Sequence, residues 1–236
     1  MNIGLLIAGG VGQRMGQEIP KQFININDKP VIIYTLEAFQ NHPDIDAIAV
    51  VCLDGWHHVL DVYAKQFNIT KLKYIVSGGE NGQGSIRNGV YELEKHFDSD
   101  DIVLIHDAIR PMVSEEIISD AIRVCKKYGN SISVIPCAEA MLVSESQTDS
   151  TEIYNRDHLK RTQTPQAFYI KDICDLHREA IEKGILNSVA SCTLMVELGK
   201  EVYFSKGSEK NVKLTTVEDL DIFKALLTLK RSEWLR

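Results

Sequence analysis

Ile3-Gly4-Leu5-Leu6-Ile7-Ala8-Gly9-Gly10-Val11-Gly12-Gln13-Arg14-Met15-Gly16, with Pro20-Lys21-Gln22 shortly after it, is the stretch on which the architecture turns. Its apolar start predicts a buried first strand over Ile3 to Ile7. The strand runs into glycines, which permit positive φ and let backbone amides approach a ligand without Cβ interference. A polyphosphate is the natural guest of such a turn. The dinucleotide fingerprint is excluded because Met15 stands where its last glycine belongs, and a P-loop is excluded because the turn has no Gly-Lys-Ser/Thr. The turn leads instead to Arg14 and, after Pro20 fixes the local backbone, to Lys21. Two cations beside an amide-lined turn suit a triphosphate and the charge that develops on its α-phosphoryl group during attack.

Outward from this turn, strand-length apolar runs alternate with helix-period segments. Ala47 to Cys52, Lys73 to Val76, Ile102 to Ile105 and Ile132 to Ile135 read as strands. Pro30 to Phe39, Gly55 to Phe67, Ser85 to His96 and Ser114 to Lys127 read as helices, the last with a serine cap before Glu115 and Glu116, which suit the positive end of a helix dipole. This alternation predicts an α/β fold, a mostly parallel sheet covered by helices on both faces, with ligands at the carboxyl ends of the strands. After Cys137 the pattern breaks. The polar stretch of residues 138–158 lacks a helical period and is expected to project as an arm. Helices are expected again over Tyr169 to Glu182 and Asn187 to Leu198, then a strand over Val202 to Ser205 and a closing helix from Val217 to about Leu229.

The bulk numbers set bounds. With 236 residues, 44% hydrophobic and 25% charged, the chain can bury a substantial core as one domain, residues 1–236. A net charge of −7 argues against a general nucleic-acid binder. The five cysteines are scattered, with no C-x-x-C pair, so neither a disulfide framework nor a structural zinc site is indicated. The opening carries no basic n-region or cleavage site and no window approaches a membrane span, so a soluble, cytoplasmic protein with no membrane partner is expected. His57 and His58 are adjacent on a predicted helix and point in different directions, which favours solvated or packing roles over metal binding.

Motifs along nearly the whole chain resemble one family. The signature Ala-Gly-Gly-x-Gly-x-Arg-Met-Gly, then Pro-Lys-Gln, is accompanied by Lys29-Pro30-Val31-Ile32, by Gly78-Gly79 with Ser85, by His106-Asp107-Ala108-Ile109-Arg110-Pro111, by Thr164-Pro165-Gln166-Ala167-Phe168, and by Asn211-Val212-Lys213-Leu214-Thr215-Thr216. This set resembles the cytidylyltransferases that act on 2-C-methyl-D-erythritol 4-phosphate and on ribitol 5-phosphate. The resemblance implies a Rossmann-like sheet of the nucleotide-diphospho-sugar transferase type, Mg²⁺, CTP and a polyol phosphate as ligands, and a homodimer in which the arm of one subunit reaches toward the other.

It also implies roles. Arg14, Lys21 and Lys213 are expected to be catalytic. Ala8, Gly9, Gly10 and Gly12 would hold the nucleotide phosphates, while Gly79, Glu80 and Ser85 would read the base. Asp107, Arg110, Ala140, Arg156 and Thr164 fall in the acceptor region, with Asp107 a candidate for Mg²⁺ as well, since Mg²⁺ prefers oxygen ligands. A phosphate monoester is already largely ionised near neutrality, so attack on the α-phosphorus needs positioning and charge neutralisation rather than a strong base.

Three departures stand out. Glu139-Ala140 replaces the family's Asp-Thr, Val189-Ala190-Ser191-Cys192 replaces a Thr-Asp element, and Gly82 stands where an arginine is expected. They fall mainly where the family contacts its acceptor. A site that loses a hydrogen-bonding group changes which hydroxyls it favours, by about 1 to 3 kcal/mol for each one left unpaired. The expected acceptor is therefore an alditol phosphate of the ribitol, glycerol or mannitol type, used for cell-wall or capsule polymers. Methylerythritol phosphate is the first rival, and a nucleotide-binding protein without activity the second.

Overall fold

The computed structural model describes residues 1–10 and 19–233, so Val11 to Glu18, with Gly12 and Arg14, lie outside the described residues. Seven strands form the main sheet. They are β1 (Asn2–Ala8), β4 (Ala47–Cys52), β5 (Leu72–Ser77), β6 (Ile102–Asp107), β7 (Asn130–Pro136), β10 (Lys160–Tyr169) and β11 (Phe204–Lys206), in the order β11-β7-β10-β6-β1-β4-β5. β1 pairs in parallel with β4 and β6, β4 with β5, and β11 with β7. β10 is the exception, antiparallel to both β6 and β7. Two short pairs stand apart: β2 (Asn25–Ile26) with β3 (Lys29–Pro30), and β8 (Met141–Val143) with β9 (Glu152–Tyr154).

The strand period of two sends alternate side chains to opposite faces. Leu6, Ile48, Val50 and Leu104 pack under α1 (Val31–Asn41), α2 (His57–Gln66) and α4 (Glu115–Tyr128). Ile3, Leu5, Ala49, Val51 and Val103 pack under α3 (Gly82–Glu94), α5 (Ile170–Glu182) and α6 (Ser191–Glu197). Because both faces are covered, β4 is buried at every position. Helix ends obey local chemistry. The Ser114 side chain accepts from the Ile117 amide, and Gly129 ends α4 in the left-handed region at φ 91°.

Several expectations change. α3 begins at Gly82 rather than Ser85, because the Asn81 side chain caps it by accepting from the Gly84 amide at 2.8 Å. α6 is shorter than the expected Asn187 to Leu198. β10 is a strand that the sequence pattern did not predict, since Lys160 to Gln166 is polar and carries Pro165. The register of β10 on β7 shifts between Thr162 and Gln166, which takes Pro165 out of the ladder and resolves the conflict. The expected arm at residues 138–158 is the β8–β9 hairpin, with every residue of its two strands exposed.

A third, smaller apolar cluster binds α7 (Val217–Glu233) to the site. Phe223 and Leu220 pack with Val31, Ile109 and Leu214, and Tyr34 meets Phe223 edge to face at 5.1 Å. Among the described residues no helix is long and apolar enough to cross a membrane.

Candidate active site

The carboxyl ends of β1, β4, β5 and β6 open into a cleft of about 660 Å³. One wall is the first turn. Ala8, Gly9 and Gly10 line it, and behind them lies Gln22, only 1% exposed, whose Nε2 donates to the carbonyls of Ala8 at 2.8 Å and Gly10 at 3.1 Å. Gln22 sits in a single 3₁₀ turn, Lys21–Phe23. Phe23 is buried and stacks on Trp56 at 4.6 Å. With Gln22 and Phe23 buried, the turn leaves Lys21 half-buried at the cleft wall, beside the glycines.

The second wall is the start of α3. The Gly79 amide donates to Ser85 Oγ at 3.0 Å, folding residues 79–85 into a cradle that Glu80, Asn81 and Gly82 complete. A Cβ on Gly79 would stand 2.4 Å from the Gly84 carbonyl carbon and 2.7 Å from the Ser85 amide nitrogen, so only glycine permits this approach. Gly82 faces open space, with nothing within 4 Å of where its Cβ would be.

The third wall is charged. Asp107 ends β6, with Oδ2 2.9 Å from Arg110 Nε and Oδ1 2.9 Å from Lys213 Nζ. Burial pushes its carboxyl up, but Lys213 and Arg110 outweigh this and hold it down at about 2, so it is ionised at neutral pH. The turn carrying it is pinned by Thr35 Oγ1, which donates to the Ala108 carbonyl at 2.8 Å, and by the Asp107 amide, which donates to Thr164 Oγ1 at 3.0 Å. Behind it His106 is fully buried, with Nε2 3.2 Å from the Arg110 carbonyl and Nδ1 3.0 Å from Thr164 Oγ1. Burial holds this imidazole down at about 4. Because a carbonyl only accepts, Nε2 carries the hydrogen and Nδ1 accepts a hydrogen bond from the Thr164 hydroxyl. His106 is thus a bracing group.

Of the residues expected at the site, Gly12 and Arg14 lie outside the described residues. The cleft gathers Ala8, Gly9, Gly10, Lys21, Gly79, Glu80, Ser85, Asp107, Arg110, Thr164 and Lys213. Ala140 and Arg156 do not line it. They are exposed at the root of the hairpin, where the Arg156 guanidinium donates to the Ala138 carbonyl. Of the departures from the family pattern, Gly82, Val189 and Ala190 line the cleft, while Glu139-Ala140 does not. Sequence reasoning assigned no role to Gln22, Gln163 or Gln166. Their amides are satisfied inside the fold, and the one visible hint was their place in Pro-Lys-Gln and Gln-Thr-Pro-Gln. His57 lies 3.4 Å from the Cys52 carbonyl, His58 is exposed, and among the described residues no cluster of three potential metal ligands occurs.

Comparison with known proteins shows the family and the fold. The family model of 2-C-methyl-D-erythritol 4-phosphate cytidylyltransferase matches residues 3–229. The chain is 45% identical to a ribitol-5-phosphate cytidylyltransferase of Lacticaseibacillus paracasei, over 98% of this chain and 99% of the relative. It is 36% identical to a 2-C-methyl-D-erythritol 4-phosphate cytidylyltransferase of Clostridium tetani, over 93% of this chain and 87% of the relative. A crystal structure of 4-diphosphocytidyl-2C-methyl-D-erythritol synthase superposes with a TM-score of 0.80 at 24% identity, covering 96% of this chain and 98% of the other, which shows the shared fold. The chain therefore belongs to the 2-C-methyl-D-erythritol 4-phosphate cytidylyltransferase family and is a nucleotidyltransferase of the cytidylyl-transferring type.

Proposed function

We propose that the enzyme transfers CMP from CTP to ribitol 5-phosphate, releasing pyrophosphate. The observation that carries this reading is one cleft with a glycine turn and Lys21 on one wall and the Lys213–Asp107–Arg110 group on another. An oxygen of the acceptor phosphate attacks the α-phosphorus, the bond from the α-phosphorus to the bridging oxygen breaks, and pyrophosphate takes the bonding electrons. Lys21, together with Arg14, neutralises charge on the triphosphate, and Lys213 does so from the acceptor side. Asp107, held ionised, is not an acid in this scheme. It orients two cations and keeps lone pairs to accept from an alditol hydroxyl.

The choice of ribitol 5-phosphate rests on the relatives of that name and on the lining at Val189-Ala190, which offers no side-chain hydrogen bond where the family has Thr-Asp. The activated product suits assembly of a cell-wall or capsule polymer. Asp107 and Glu80 are carboxylates in the cleft, and Asp107 already holds two cations, so the donors do not fit a protein-built Mg²⁺ cage. An ion brought in with the nucleotide would find Asp107 as its hard oxygen ligand from the protein and would supply further charge neutralisation there.

A homodimer completes the reading. Leu142 and Ile153 on the hairpin are 64% and 80% exposed, and a two-stranded hairpin with no covered face is not stable alone. A second copy covers it and receives Ala140 and Arg156 toward its own cleft. The unpaired thiols of the five cysteines suit the cytoplasm.

The test is a pyrophosphate-release assay with Mg²⁺, crossing four nucleoside triphosphates with ribitol, glycerol, mannitol and methylerythritol phosphates. CTP with ribitol 5-phosphate is expected to dominate, and Lys21→Ala to abolish turnover with the fold intact. Turnover of methylerythritol phosphate alone would replace the acceptor. Unchanged turnover in Lys21→Ala would remove the mechanism.

A further inference from the structure

Lys213 lies on an irregular segment between β11 and α7, with no ladder to fix it. A lysine side chain is flexible, so its placement on Asp107 depends on how that backbone is held. The fixings come from β10, at the place where its register breaks. Gln163 is 6% exposed and its amide imitates a neighbouring strand: Nε2 donates to the Ser208 carbonyl at 2.9 Å, while Oε1 accepts from the Ser208 amide at 3.1 Å. Gly207 approaches so closely that a Cβ there would lie 2.7 Å from Gln163 Oε1.

From the other side, Asn211 is fully buried and its Nδ2 donates to the Thr164 carbonyl at 2.8 Å, a group in the stretch that the register shift removes from the β7 ladder. Arg110 Nη1 donates to the Asn211 carbonyl at 2.8 Å, so one residue meets both β10 and the Asp107 turn. The Leu214 amide then donates to the Ile109 carbonyl at 2.9 Å, fixing the far side of Lys213.

We infer that Gln163 and Asn211 are positioning residues for the transfer, acting through Lys213 by clamping its segment against the break in β10. Gln163 lines the cleft, yet its Nε2 and Oε1 are both engaged by the segment, which leaves the side chain to hold backbone rather than substrate. The break in β10 serves the site by freeing the Thr164 carbonyl, which an unbroken ladder would consume, and by leaving the Gln163 side chain to meet the segment. The kinetic part rests on the proposed cytidylyl transfer to an alditol phosphate. The geometric part does not.

Gln163→Leu and the near-isosteric Asn211→Asp test it in the full-length enzyme. Each is expected to lower kcat about tenfold or more while KM for CTP stays within about twofold, the signature of a loss felt in the transition state. In parallel, reductive methylation with mass spectrometry reads the Lys213 amine directly. Lys213 labelling is expected to rise several-fold in both variants while Lys29, paired with Glu37 at 2.7 Å, labels as before. Unchanged kcat, a rise confined to the KM of the alditol phosphate, unchanged Lys213 labelling in a folded variant, or an equal rise at Lys29 would each overturn the clamp. If the wild-type enzyme turns over no alditol phosphate, the functional reading fails, and the labelling still decides the clamp.

Discussion

Asp107 and Lys213, 106 positions apart in the chain, meet at 2.9 Å between Oδ1 and Nζ, and the same carboxylate holds Arg110 through its other oxygen. One half-buried carboxylate thus sets the position of two cations that face the cleft. Asp107→Asn keeps the shape and removes the charge, leaving both cations to repel each other without a counter-ion. We expect kcat to fall about tenfold or more, read by pyrophosphate release.

The same carboxylate has a stability consequence. Its pKa is lowered to about 2 in the fold, below the ordinary value of 3.8, so its contribution is fully present above about pH 4 and is lost as the pH falls toward 2. Acid unfolding of Asp107→Asn should show a shallower loss of stability across that window than the parent. Identical acid transitions would remove this assignment.

Gln22 supports the glycine turn by donating to two carbonyls, those of Ala8 and Gly10. Gln22→Ala should cost roughly 1 to 3 kcal/mol, two hydrogen bonds at about 0.5 to 1.5 kcal/mol each, and raise KM for CTP. Gln22→Glu should cost more, because a carboxylate would then face acceptors. Denaturant unfolding of both variants checks the order.

Gly79 carries a steric prediction. A methyl group there meets backbone, not a movable side chain, at 2.4 Å and 2.7 Å. Gly79→Ala should displace the start of α3 at a cost of about 1 to 3 kcal/mol and raise KM for CTP more than KM for the alditol phosphate. Gly82→Ala, made in open space three residues on, is the control and should be nearly neutral in stability.

His177 on α5 is 1% exposed, and neither ring nitrogen has a hydrogen-bond partner among the described residues. Burial holds it down at about 4, below the ordinary 6.5, so the unfolded chain binds its proton first. Stability is therefore full above about pH 6.5 and falls as the pH drops toward 4, by up to about 1.4 kcal/mol per pH unit for one group. His177→Leu should flatten this dependence and leave the thermal midpoint at pH 7 unchanged or higher, since it removes unsatisfied buried atoms.

Much of this molecule was legible in one dimension. Ile3 to Ile7 read as a buried strand because its side chains are apolar to both faces, and Gly9-Gly10 with Lys21 read as a phosphate turn because glycine and a cation are chemical facts before any folding. Asp107 was legible as the end of a strand. β10 was not, because its polar residues and Pro165 argue locally against a strand, and only pairing with β6 and β7 makes it one.

What the tertiary structure decided is who holds whom. Hydrogen-bond partners such as Gln163 with Ser208, Asn211 with Thr164 and Asp107 with Lys213 are separated by 45, 47 and 106 residues. No local period encodes such pairs, since side-chain polarity names a donor or acceptor without naming its partner. The sequence by itself determined a phosphate-binding α/β chain with its cations and its carboxylate; folding decided that one carboxylate would hold two of those cations, because only packing brings the ends of β6, β10 and the segment before α7 to one place.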